Sequence, residues 1–235
     1  MIIREIDRNL WVVEQPFKYF GLEVGTRMTL VGLSTGDLVA ISPIKIDRET
    51  IEQIALLGKI KYIIAPNLYH HLFIKDFRSI YPDAQLWATS SLAAKKPDLA
   101  IDVPIVDRQN NLFDEIDYLL FDGFQTLYLN GYTPLNEYVF YHRASRTLIL
   151  TDTAFYFDDT FVPMTQLIAR LMGGYKLLRP SPLEKLATRD KITVKQAVDQ
   201  VLEWDFDRVI VAHGSVLETG GKQQFRAGYD WFLNT

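Results

Sequence analysis

The sequence predicts an α/β protein in which two mixed β-sheets pack face to face with helices outside. Three observations carry this. Short runs rich in Val, Ile, Leu and Trp have strand length and are bounded by turn formers. Strand and helix patterns alternate through the first half, which is an α/β signature. The second half repeats the same plan, strands first and then helices, with no repeat of fixed period. The 235 residues are read as a single domain, 1–235, long enough to bury roughly 70–75% of the surface of the unfolded chain.

The first strands fall at Leu10–Val13, Met28–Leu33 and Leu38–Ser42, and the Ser34-Thr35-Gly36-Asp37 turn makes them an antiparallel meander. Asp47 then offers an N-cap to a helix whose apolar positions Ile51, Ile54, Ala55 and Leu57 end at Gly58. A buried strand, Tyr62–Ala65, stops at Pro66-Asn67. A helix over Leu72–Ile80, the strand Gln85–Ala88 and a short helix capped by Ser90 or Ser91 follow. Strands resume at Tyr118–Phe121, Thr126–Leu129, Tyr138–Tyr141 and Thr147–Leu150. Past Asp152 the pattern is helical at Met164–Met172, Leu183–Ala187 and Val194–Trp204. A last strand, Arg208–Ala212, precedes His213-Gly214 and a final helix from about Lys222 to Phe232.

Composition excludes several chemistries. There is no cysteine, hence no disulfide, no thiolate metal ligand and no cysteine nucleophile, and any transition-metal site must draw on four histidines and the carboxylates. A net charge of −4 supplies no basic field, so neither nucleic acid nor a membrane surface is an expected partner. The charged N-terminus does not read as a signal peptide, and no run approaches the ~18 apolar residues of a membrane span. A cytoplasmic location is the expectation.

Three common motifs fail. Gly214-Ser215 lacks the second glycine of a nucleophile elbow. Gly220-Gly221-Lys222 has no glycine five positions before Gly221 and carries Gln223 where a phosphate loop needs Ser or Thr, so it reads as a turn opening the last helix. No dinucleotide fingerprint follows any strand.

What remains are polar residues placed directly after apolar strands, where a rigid element fixes a ligand's position. These are His70 and His71 after Ile63-Ile64-Ala65, Asp152 after Leu148-Ile149-Leu150, and His213 after Val209-Ile210-Val211-Ala212. Glu137, which opens the strand before Asp152, is a fourth candidate. Each also has a plainer explanation. His70 and His71 are adjacent, so at most one is expected to ligate; Asp152 fits equally as a turn cap. His213, a titratable ring at the end of a buried strand, needs a partner or a role. His142 lies in the polar stretch His142–Arg146 and reads as a solvated turn residue.

At these segments the chain resembles the metallo-β-lactamase superfamily, whose αββα four-layer sandwich places two metals at the rim between its sheets. The family's Thr-His-x-His-x-Asp-His motif falls on Pro66–Leu72, with Asn67 and Tyr69 in place of two histidines, His71 in place of the aspartate and Leu72 in place of the third histidine. Gly131-Tyr132-Thr133-Pro134 matches its Gly-His-Thr-Pro stretch with Tyr132 for the histidine. Leu150-Thr151-Asp152 and His213-Gly214 match the later motifs. The chain is thus similar to a divergent branch of unknown function with degraded metal motifs.

The resemblance implies two alternatives. In one, His70 or His71 with Glu137, Asp152 and His213 holds one divalent transition metal, zinc or iron, for hydrolysis of a small-molecule substrate, and Asp152 orients the nucleophile. In the other there is no metal and no catalysis, and the rim binds a small molecule or protein through Asn67, Tyr69 and Tyr132. The segment Leu167–Pro182, with Arg170, Lys176 and Arg179, reads either as a lid offering cations to an anionic group or as a helix hairpin with a solvated cationic face.

Overall fold

The computed structural model describes residues 1, 3–128 and 131–234. Two compact units form, Met1–Pro16 with Gly25–Asp107, and Phe17–Val24 with Arg108–Thr235.

The first unit is built on a seven-stranded sheet. Its N-terminal strands are β1 (Ile3–Asp7) and β2 (Leu10–Gln15), after which the chain lends β3 (Lys18–Tyr19) and β4 (Leu22–Glu23) to the second unit. It continues with β5 (Thr26–Gly32), β6 (Asp37–Ile41), the helix α1 (Arg48–Leu57), β7 (Lys59–Ala65), α2 (Ile74–Ile80), β8 (Gln85–Thr89), α3 (Ser90–Lys95) and β9 (Val103–Ile105). The spatial order is β1-β2-β5-β6-β7-β8-β9. Pairing is antiparallel as far as β6 and parallel from β6 onward. The change follows from the connections: a tight turn between β5 and β6 reverses the chain, whereas helical crossovers return it in the same direction.

Asp47 caps α1 as expected, its Oδ1 accepting the Thr50 amide at 2.9 Å and the Thr50 hydroxyl at 2.6 Å. For α3 the cap residue is Thr89, and it makes no side-chain capping bond. Ile54, Phe77 and Leu92 of the three helices are buried with Met28, Leu30, Ile63 and Leu86 of the sheet, so one apolar layer fixes where β7 ends and its loop begins.

In the second unit β10 (Gln109–Leu112), β11 (Ile116–Phe121), β14 (Glu137–His142), β15 (Thr147–Ile149) and β16 (Arg208–Ile210) form a five-stranded sheet in that order. A hairpin of β12 (Gln125–Tyr128) and β13 (Gly131–Pro134) interrupts it. Of the strand expected at 126–129, Leu129 lies outside the described residues. The helices are α4 (Pro163–Leu171), α5 (Pro182–Ala187), α6 (Lys191–Val201) and α7 (Gly221–Leu233), close to the expected spans. The three helices α4 to α6 separate β15 from β16, which pair parallel. Gly220 opens α7 in a left-handed conformation, the helix-opening turn expected there. α7 seats an aromatic layer: Phe225 meets Phe206 edge-on at 5.8 Å, Tyr229 meets Phe121 at 5.2 Å and Phe232 stacks on Phe124 at 5.3 Å.

The expected two mixed sheets with flanking helices are therefore present. One residue departs from its sequence reading. His142 is not solvated; it closes β14 opposite Thr147, is buried, and its Nδ1 lies 2.7 Å from Ser145 Oγ. Among the described residues no helix is long and apolar enough to cross a membrane.

Candidate metal centre

In the second unit the parallel pairing of β15 and β16 sets two side chains side by side. Ile149 pairs with Ile210, and the Leu150 amide continues the ladder to the Ile210 carbonyl at 2.8 Å. Asp152 and His213 leave the same end of these neighbouring strands, and His213 Nε2 stands 3.5 Å from Asp152 Oδ1, both side chains largely buried.

Asp152 is positioned by Glu137. Phe140 pairs with Ile149 across β14 and β15, and carrying that register onward sets Glu137 opposite Asp152. Glu137 is fully buried. Its Oε1 accepts the Thr151 amide at 2.9 Å and the Thr153 hydroxyl at 2.8 Å, while Oε2 accepts the Asp152 amide at 2.7 Å. Burial, reinforced by the charge of Asp152, pushes the Glu137 carboxyl upward, and the donors around it pull the other way. Tyr229 donates to the Thr153 carbonyl at 2.6 Å and ties this loop to α7.

His213 is positioned by backbone and rings. Gly214 has φ +108°, and a Cβ there would lie 2.2 Å from the Tyr156 carbonyl oxygen, so only glycine lets the loop turn this closely. The Gly214 amide donates to the Val24 carbonyl at 3.0 Å and the Ser215 amide to the Tyr156 carbonyl at 2.7 Å. Ser215 also donates its hydroxyl to Asp158 at 2.7 Å, and Asp158 accepts the Thr160 hydroxyl at 2.6 Å. Phe17 stacks on the imidazole at 5.8 Å between centroids and Phe155 approaches at 6.5 Å. These rings wall the imidazole with apolar surface.

The first unit holds His70 and His71 in the loop after β7. Asn67 is fully buried, and its Oδ1 accepts the amides of Tyr69 at 2.8 Å and His70 at 2.9 Å, which shapes the turn. His70 Nδ1 lies 2.6 Å from Ser42 Oγ, on the residue that follows β6. Among the described residues the His71 ring has no comparable anchor; burial, then Lys96 and Lys95, lowers its pKa, which favours the neutral form. Lys95 itself caps the loop by donating to the Leu68 carbonyl at 3.1 Å and sits 4.5 Å above the Tyr69 ring.

A family model covers residues 7–174. The chain belongs to the family described as domain of unknown function DUF4336. The match takes in His70 and Asp152 and ends before His213. No curated protein matches the chain. Solved metallo-β-lactamases do. The enzyme from Pontibacter korlensis is 12% identical, covers 100% of this chain and 99% of its own, and has a TM-score of 0.67. FIM-1 from Pseudomonas aeruginosa, in its mono-zinc form, is 10% identical, with 100% and 96% covered and a TM-score of 0.68. The enzyme from Hirschia baltica is 11% identical, with 100% and 98% covered and a TM-score of 0.62. At such identities the likeness is one of fold: this DUF4336 chain has the metallo-β-lactamase fold.

Within the second unit, then, three of the residues singled out in the sequence gather: Glu137, Asp152 and His213. Sequence reasoning missed the residues that hold them, namely Thr151, Thr153, Ser215, Asp158 and Phe17. The hydroxyls on either side of Asp152 were the one available signal. Tyr132, expected as a hydrogen-bonding group, is half exposed and lies under the Arg189 guanidinium at 5.2 Å.

Proposed function

We propose that this protein is a metal-dependent hydrolase of the metallo-β-lactamase fold with one divalent ion, zinc or iron, held by Asp152 and His213, with His70 as the further ligand that the sequence offers. The observation that carries the reading is the Asp152–His213 spacing. Two ligand atoms ~2.0–2.1 Å from a tetrahedral ion lie roughly 3.4 Å apart. Oδ1 and Nε2 stand 3.5 Å apart just past the same end of two neighbouring strands. One carboxylate with imidazoles is a donor set that suits zinc or iron. For His70 the support is its bond to Ser42, which orients the ring through Nδ1 and makes Nε2 the ligand atom. That a mono-zinc form exists in this fold, in FIM-1, is consistent with a single ion.

An ion in such a site supplies a Lewis acid and a bound water acidic enough to attack near neutral pH. The chain's own residues do the rest. Asp152 orients the attacking water, His213 holds its ring against Phe17 and Phe155 where water is scarce, and Glu137 stands behind Asp152 and holds its backbone. In this reading Glu137 supports the centre and His71 lies outside the ligand set. The substrate is a small ester, amide or phosphoester handled in the cytoplasm, with neither nucleic acid nor membrane as partner.

The test is elemental analysis of protein purified without chelator. About one equivalent of zinc or iron is expected, lost in His213→Ala and in His70→Ala. Metal-free protein whose melting temperature does not move on adding zinc or iron sinks the proposal and leaves a non-catalytic binding protein.

A further inference from the structure

In the first unit β7 and β8 pair parallel, with Ala65 beside Ala88, so the loop after β7 and the helix α3 leave the same edge of the sheet. That edge, outside the carboxyl ends of parallel strands, is where open α/β sheets hold ligands. Two consecutive cations stand at the end of α3, Lys95 in its last turn and Lys96 directly after it. Lys95 reaches across to the loop: its Nζ donates to the Leu68 carbonyl at 3.1 Å and lies 4.5 Å from the centre of the Tyr69 ring. This uses one of its three N–H groups, and the residue stays exposed. Among the described residues no acid pairs with either ammonium. Asp98, the carboxylate on which Lys96 acts, is already paired with Lys75 at 2.6 Å. Lys96 repels Lys95, and both lie close enough to the His71 imidazole to disfavour its protonation. On a chain of net charge −4 this is a local concentration of positive charge, held against a partly buried loop, which an anion would relieve.

The donors decide which anion fits. A planar carboxylate is matched by the fork of an arginine, whereas lysines act as point charges and suit a tetrahedral phosphoryl group carrying close to two negative charges. We propose that Lys95 and Lys96, with the ring of His71 beside them, bind the phosphoryl group of a small phosphomonoester. The binding stands on the first unit alone and needs no metal. That the ester is also the substrate rests on the hydrolase reading above, since His70 lies on the same loop as His71.

The test uses the full chain freed of metal on a chelating resin, so that no ion mediates binding and no chelator competes for the site. Inorganic phosphate, glycerol phosphate and acetate are titrated at constant ionic strength, with melting temperature and the ³¹P line width as readouts. Phosphate and glycerol phosphate are expected to raise the melting temperature saturably, the ester binding no more weakly than phosphate and acetate at least about tenfold more weakly. Lys96→Met removes an ammonium that makes no hydrogen bond among the described residues, so it should keep the parent's circular dichroism spectrum and bind glycerol phosphate about tenfold more weakly. Lys59→Met, at the opposite end of β7, should bind it as the parent does. No saturable effect, equal binding of acetate, binding of phosphate but not of the ester, unaltered affinity in Lys96→Met, or the same loss in Lys59→Met each overturns the proposal. Metal content is read separately, so failure here and failure of the hydrolase reading are told apart.

Discussion

Glu137 and Asp152 are joined through the main chain: Glu137 Oε2 accepts the Asp152 amide at 2.7 Å, while its other oxygen takes the Thr151 amide and the Thr153 hydroxyl. A fully buried carboxylate with three donors is a scaffold for the loop it grips. Glu137→Ala leaves those donors without an acceptor, each at roughly 1–3 kcal/mol. A loss on the order of 3 kcal/mol or more in urea melts is expected. Glu137→Gln should lose less, because the amide oxygen still accepts at one end while the NH₂ opposes a donor at the other. Equal stability of Glu137→Ala and the parent would show that the loop does not depend on this carboxylate.

Gly214 offers a test of the other side of the site. With φ +108° and a hypothetical Cβ 2.2 Å from the Tyr156 carbonyl oxygen, alanine cannot be accommodated without moving backbone. Gly214→Ala should cost on the order of 3 kcal/mol, combining left-handed strain with a displaced ladder contact. The movement falls on His213 directly, so metal content should fall with stability. A variant as stable as the parent would mean that the Tyr156–Ser215 contact is not structurally required.

The strands that end at His70, Asp152 and His213 were legible because an uninterrupted apolar run followed by a polar residue marks a buried strand leaving the sheet. That β15 and β16 lie together was not, since nothing local links segments so far apart in the chain. Six strands were not anticipated, β1, β3, β4, β9, β10 and β13, and for two of them the physical reason is plain. β9 contains Pro104, and β10 is Gln109-Asn110-Asn111-Leu112, of weak strand propensity; both sit at a sheet edge, where such residues are tolerated. His142 misled because polar neighbours describe the turn and not the face on which the preceding strand puts its last side chain. Glu137 was recognised as a residue type but its role depends on amides that lie beyond the following strand, at Thr151 and Asp152. The cations of Leu167–Pro182 proved to be engaged at home, Arg170 on the Tyr175 ring at 3.6 Å and Lys176 with Asp159.

Ser42 tests the assignment of His70 as a ligand. Its hydroxyl lies 2.6 Å from His70 Nδ1, the arrangement that fixes the tautomer of a metal-bound imidazole. Loss of such a supporting bond commonly weakens metal affinity about 10–100-fold. Ser42→Ala should therefore keep the fold, as far-ultraviolet circular dichroism would report, and bind zinc or iron correspondingly more weakly in a chelator competition. Unchanged affinity in a folded Ser42→Ala protein would remove His70 from the ligand set.

Lys191 supplies a pH dependence that owes nothing to metal. Its ammonium lies 3.6 Å from the centre of the Phe232 ring and donates to the Lys185 carbonyl at 2.9 Å. Burial, with Lys185 adding repulsion, brings its pKa down to about 8. In the unfolded chain the same group titrates near ~10.4. Between these values the unfolded state binds more protons than the folded one, so stability rises as pH increases through that window and the handicap of a partly desolvated charge is lifted. The side chain is only partly buried, so solvent screening keeps the effect modest. Melting temperatures of the parent and Lys191→Met, compared at roughly pH 7.5 and 10, should show the parent gaining on the variant as pH rises. A constant difference, or one that shrinks in the parent's disfavour, would mean that Lys191 titrates in the folded protein as it does in the unfolded chain.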